Sequence, residues 1–112
     1  MLQEFMRNQR QQFRLPIDRR GFVTQGERTA LCEVLDLTEL GLLFTTDLPL
    51  TLNDSVRIEC QLDDHCLLQC EVLVTHASQS RFGGRITNLS PDGQQQLTQF
   101  IDRLIRASME GL

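Results

Sequence analysis

The stretch Val56-Arg57-Ile58-Glu59-Cys60-Gln61-Leu62 alternates apolar and polar residues without a break. Leu68, Cys70, Val72 and Val74 repeat the pattern against Gln69 and Glu71. A period of two sends successive side chains to opposite faces of a strand, so each segment offers one face to a core and one to water. Asp63-Asp64 lies between them and marks a turn.

Shorter segments of the same kind lie on both sides. Ile17 to Thr24 reads as a strand ending at Gln25-Gly26, and Thr29 to Leu35 as a second, with Ala30, Cys32 and Val34 on one face. Asp36 to Gly41 reads as a tight turn, Leu42 to Thr46 as the next strand, and Pro49 with Asn53-Asp54 as a connecting loop. Arg81 to Thr87 gives a sixth strand, loosened by Gly83-Gly84. Ser90-Pro91-Asp92 then starts a helix: Ser is a preferred N-cap, Pro suits the first helical position, and Asp is favoured by the dipole. Leu97, Phe100, Ile101, Leu104 and Ile105 give that helix one apolar face. The expected fold is all-β with a C-terminal helix: a six-stranded antiparallel β-barrel with the helix across one opening. Residues 16–112 would form this barrel unit. Residues 1–15, polar and rich in Gln and Arg, would form a flexible arm or a short helix ended by Pro16.

The chain has 112 residues, enough for one domain. Its formal charge of −4 is unevenly spread. Every basic residue is Arg, and Arg7, Arg10, Arg14, Arg19, Arg20 and Arg28 all fall in the first quarter. Arg offers a planar fork that grips phosphates and guanine edges and stacks on rings. A compact anion with flat bases suits such a segment, whereas a long nucleic acid would be repelled by the acidic remainder. No apolar run approaches the roughly 20 residues of a membrane span, and the first ten residues lack signal-peptide character. A cytoplasmic protein with no membrane insertion is expected. Cys32, Cys60, Cys66 and Cys70 lack zinc spacing, and His65 and His76 complete no ligand pattern, so they read as small core residues and no metal is expected. No nucleophile and base grouping is legible, so no enzyme activity or cofactor is expected.

Two motifs sit on this layout. Arg10-Gln11-Gln12-Phe13-Arg14 is an RxxxR just before the first strand, and Asp36-Leu37-Thr38-Glu39-Leu40-Gly41 is a DxTxxG between the second and third. Taken alone, the arginines are ordinary surface charges, and Asp and Thr are ordinary turn formers. In this order and separation the two motifs resemble the signature of the PilZ family, RxxxR followed by [D/N]xSxxG. Arg81-Phe82-Gly83-Gly84-Arg85-Ile86 resembles the family's late barrel strand, and the closing helix also matches. Thr38 departs from the motif Ser by a methyl. Asn88-Leu89-Ser90-Pro91-Asp92-Gly93 also fits [D/N]xSxxG, but it begins the helix and lies far downstream of Arg14.

The resemblance implies a receptor for the bacterial second messenger cyclic di-GMP, used in motility and biofilm signalling. It implies that Arg10 and Arg14 contact guanine and phosphate, that Asp36 accepts hydrogen bonds from guanine, that Thr38 bonds the ligand or pins the turn, and that Gly41 holds a backbone a Cβ would obstruct. Arg19 and Arg20 are further candidates for phosphate, while Arg85 reads as a residue of the barrel surface. The ligand would order the N-terminal arm, and the signal would pass to an unidentified protein partner in flagellar, pilus or exopolysaccharide machinery, or to a transcription factor. The residues before RxxxR resemble the linker of flagellar-brake proteins. The competing expectation is a degenerate PilZ-like interaction module that does not bind the nucleotide.

Overall fold

Alternation builds the wall of this molecule. A computed structural model describes residues 14–110. Six strands, β1 (Leu15–Gln25), β2 (Arg28–Leu37), β3 (Gly41–Thr46), β4 (Ser55–Asp63), β5 (Cys66–Ser78) and β6 (Arg81–Asn88), precede one helix, α1 (Pro91–Glu110). Every neighbouring pair is antiparallel. The strands close into a barrel in the order β1-β2-β3-β6-β5-β4. The expected six-stranded barrel with a C-terminal helix is therefore the observed fold.

In β4, Val56, Ile58, Cys60 and Leu62 point inward and are buried, while Arg57, Glu59 and Gln61 face water. They meet Leu68, Cys70 and Val72 of β5 and share one core with Val34, Phe44 and Phe82. Phe44 and Phe82 pack as tilted rings 5.7 Å apart. Burying such side chains contributes roughly 1.5–3 kcal/mol each, which is the main force closing the barrel.

The helix starts where its capping residues predict. The Ser90 hydroxyl accepts the Gly93 N–H at 3.0 Å, as an N-cap does. Leu97, Phe100 and Ile101 are buried in the barrel core, with Leu104 and Ile105 packed against it. Arg103 donates to Asp63 at 2.7 Å, tying α1 to the end of the barrel that carries the β4–β5 hairpin and the β2–β3 turn.

The observed strands outrun the expected ones where bulges occur. Val34 pairs with Phe44 but Asp36 with Leu43, so Leu35 is an extra residue in β2. The bulge keeps Asp36 on the strand and buries Leu37. The turn expected over Asp36 to Gly41 is therefore confined to Thr38–Leu40. Strand β5 passes the expected end at Val74 through a second bulge, since Val74 pairs with Gly84 and His76 with Gly83. Gly83 and Gly84 of β6 both keep partners on β3 and β5, although the β5 bulge falls opposite them.

Candidate functional site

The bulge at Leu35 aims Asp36 outward, beside Leu43, while Leu37 goes into the core. Thr38 follows and fixes the turn. Its hydroxyl accepts the Leu40 N–H at 3.1 Å and the Gly41 N–H at 3.0 Å, and its own N–H donates to the Gly41 carbonyl at 2.9 Å. A serine hydroxyl could make the same bonds, so the extra methyl of threonine costs the turn nothing. Gly41 opens β3 directly beside Arg85 of β6. A Cβ there would lie 2.3 Å from the Gly84 carbonyl oxygen, so the close approach of two backbones, and not a left-handed conformation, requires glycine.

On the outer wall, β3, β6 and β5 bring three residues into one row: Leu43, Gly83 and His76. Gly83 carries no side chain, so the wall is bare backbone between them. Arg81 and Arg85 lie two residues to either side of Gly83 and share its outward face, because Phe82 points into the core. The result is a cleft of about 650 Å³ that Arg14, Asp36, Thr38 and Gly41 line together with His76, Arg81, Gly83 and Arg85. Three guanidinium groups and one imidazole meet one carboxylate there. Such a cleft attracts anions, and its glycine floor gives a flat ring room to lie against the sheet.

Of the five residues singled out by the motifs, Arg14, Asp36, Thr38 and Gly41 all line this cleft, and Arg10 lies outside the described residues. Arg19 does not reach it. Its guanidinium donates to the Leu62 carbonyl at 2.8 Å and to the Ile17 carbonyl, bracing β1 against β4. Arg20 lines a separate depression. Ser90 is spent on the helix cap, and none of Asn88 to Gly93 lines the cleft. His76, Arg81 and Gly83 were missed by sequence reasoning, and Arg85 was read as surface alone. The period of two around Phe82 places Arg81, Gly83 and Arg85 on one face, but only the pairing of β6 with β3 carries that face to Asp36.

The cysteines are core residues. Cys32, Cys60, Cys66 and Cys70 are free and buried. Burial pushes the thiols of Cys32 and Cys70 up to about 12 and that of Cys60 up to about 11, and raises Cys66 as well. Among the described residues, no group of three or more His, Cys, Asp or Glu side chains could hold a metal ion. No described helix is long and apolar enough to cross a membrane.

The family profile described as PilZ domain matches residues 8–103. Among curated proteins, none matches the chain. Several solved structures share its fold. YcgR from Escherichia coli, crystallised in complex with c-di-GMP, superposes with a TM-score of 0.74 at 20% identity over 88% of this chain and 47% of its own. The isolated PilZ domain of YcgR from Escherichia coli, with c-di-GMP, gives 0.70 at 16% identity over 88% of this chain and 93% of its own. MrkH of K. pneumonia gives 0.75 at 15% identity, covering 91% of this chain and 52% of its own. The chain thus spans about half the length of the first of these and nearly all of the isolated domain.

Proposed function

The chain belongs to the PilZ domain family, and on that premise we propose that its outer cleft binds cyclic di-GMP and that binding is its contribution to signalling. One observation carries this reading: Arg14, Asp36 and the turn pinned by Thr38 converge with Arg81 and Arg85 on a single glycine-floored cleft. The chemistry suits a dianionic dinucleotide. An arginine fork donates two hydrogen bonds to guanine O6 and N7, or grips a phosphate bidentately. The Asp36 carboxylate is acceptor-only and matches the N–H groups of the guanine Watson–Crick edge. The backbone floor at Gly83 lets a purine approach closely, with Leu43 and His76 on its flanks.

In this reading Arg10 supplies a further fork from upstream, and the ligand draws the segment carrying Arg10 and Arg14 onto the cleft. That ordering would lower affinity and create a new surface for a protein partner in flagellar, pilus or exopolysaccharide machinery. The domain acts as a receptor without catalysis of its own. Calorimetric titration with cyclic di-GMP, with GTP and cyclic di-AMP as controls, tests the reading. Saturable, selective binding is expected, lost in Asp36→Ala and kept in Asn88→Ala. Failure to bind would place the chain with interaction modules of this fold. Loss in Asn88→Ala alone would put the ligand at the start of α1. Hydrogen exchange with and without cyclic di-GMP tests the ordering step: new protection is expected in residues 7–15 and around Asp36 to Gly41, with Val56–Leu62 and Leu68–Val74 little changed.

A further inference from the structure

Strict alternation would send both Asp36 and His76 into the core. Cys32 and Val34 of β2 point inward, as do Cys70, Val72 and Val74 of β5, so the next residues in step are Asp36 and His76. Neither goes in. The extra residue Leu35 turns Asp36 outward, and the extra residue Thr75 does the same for His76, since Val74 pairs with Gly84 but His76 with Gly83. Re-aiming a side chain beside a functional site is a common use of a bulge. The two redirected residues become the ends of one outward row across four strands: Asp36, Leu43, Gly83, His76. His76 is exposed there, and no described residue bonds its imidazole. The Thr75 hydroxyl donates to the Gly83 carbonyl at 3.4 Å, which ties the bulge to the cleft floor. The fold does not demand that floor. Gly83 has no left-handed φ, and a Cβ on it would meet only the His76 Cβ, at 3.3 Å. A strand glycine that neither backbone nor core requires marks a place where a ligand comes close.

We infer that His76 is a direct ligand contact: it donates a ring N–H to N7 of the guanine whose Watson–Crick edge Asp36 holds. This assignment rests on the reading of the cleft as a cyclic di-GMP site. Three strand spacings separate the ends of the row, about 14 Å between Cα atoms. A carboxylate, a purine and an imidazole joined edge to edge by two hydrogen bonds suit that span. The chemistry of the two ends is complementary in the same sense. Guanine presents N–H donors on its Watson–Crick edge, and the acceptor N7 lies across the ring system from them. The ionised Asp36 carboxylate can only accept, so it serves the first edge. Imidazole carries an N–H in either protonation state, so His76 serves the second. Arg81 and Arg85 lie off the row, along β6 on either side of Gly83, which leaves their forks to the phosphates.

The test pairs one substitution with one altered ligand. His76→Leu keeps the bulk of the side chain and removes the ring N–H. The 7-deaza analogue of cyclic di-GMP replaces each guanine N7 by a C–H and removes the acceptor. Calorimetry measures both ligands on the full chain and on His76→Leu, and thermal unfolding checks that the variant keeps the parent's midpoint. The variant is expected to bind cyclic di-GMP about fivefold more weakly than the parent, the loss of one hydrogen bond. The parent is expected to prefer cyclic di-GMP over the analogue, and that preference should shrink about fivefold in His76→Leu, because both changes remove the same contact. A preference equally large in parent and variant would overturn the assignment, even if the variant bound more weakly. Parent-like affinity of His76→Leu for cyclic di-GMP would overturn it too and leave the reading of the cleft standing. A parent chain that bound neither ligand would overturn both.

Discussion

Strands β4 and β5 pair residue against residue from Ser55 with Leu73 to Gln61 with Leu67, one face buried and the other wet. The other side of the barrel, where β2, β3 and β6 meet, follows no such rule. A bulge interrupts it at Leu35, adjacent glycines sit in β6, and a hydroxyl pins its turn. Both sides send their inward apolar residues to one core. The difference lies outside: regular alternation leaves an unbroken wall of side chains, Arg57, Glu59 and Gln61 of β4 beside Leu67, Gln69, Glu71 and Leu73 of β5, whereas each departure removes or redirects a side chain, and together they hollow out a cleft. Gly83 and Gly84 show this most directly. Gly83 points outward and leaves the cleft floor bare, while Gly84 points inward, where a Cβ would stand 2.2 Å from a Val72 methyl. One glycine shapes a site and its neighbour admits the core.

The contrast can be broken first at its strongest point. Ile58→Ala, in the regular ladder, is expected to destabilise the barrel by about 2–5 kcal/mol, read from urea or thermal unfolding, with nucleotide affinity little changed in the fraction still folded. On the irregular side the effects should be reversed. Arg14→Ala and Arg85→Ala are each expected to weaken cyclic di-GMP binding by about 1–3 kcal/mol while leaving the unfolding midpoint in place. An Arg85→Ala variant that unfolded as readily as Ile58→Ala would erase the distinction between the two sides. Thr38→Val is intermediate: it removes the acceptor of two backbone N–H groups, for a loss of about 1 kcal/mol of stability that Thr38→Ser should not show. The smallest effect belongs to the surface pair that moors α1. Burial tends to raise Asp63, but the hydrogen bond from Arg103, the His65 N–H and the positive charge of Arg103 hold it below the usual carboxylate range. A depressed carboxylate stabilises the fold above its unfolded value, near pH 4, and the contribution fades as pH falls through the lower folded value. Arg103→Ala should therefore cost no more than about 1 kcal/mol at neutral pH, because the pair is partly solvated, and nothing in strong acid.

The same contrast explains what the sequence could reveal. Alternation in Val56–Leu62 and Leu68–Val74 was visible because each strand writes its own burial locally. Ser90-Pro91-Asp92 announced α1 for the same reason. Bulges are invisible to such reading, since the extra residue is defined by the partner strand, so Asp36 was placed in a turn that it precedes. The cleft was legible on the side where spacing is local, at Arg14, Asp36, Thr38 and Gly41. Its other wall depends on closure. Strand β6 reaches β3 only after the chain has passed through β4 and β5, and nothing within Arg81-Phe82-Gly83-Gly84-Arg85 states which strand it will join.

The buried thiols also give the molecule a clock. A thiolate is the reactive species, and Cys32, Cys60 and Cys70 are both enclosed and held protonated at neutral pH. An alkylating reagent can reach them only when the wall between strands opens. Cys32 sits on β2, Cys60 on β4 and Cys70 on β5, so three strands of the barrel each carry a reporter. If the barrel opens as one cooperative unit, all three are modified at a common rate that falls when a ligand is bound, whereas strands that detach separately give different rates. Mass spectrometry of the alkylated chain can count these events without a substitution.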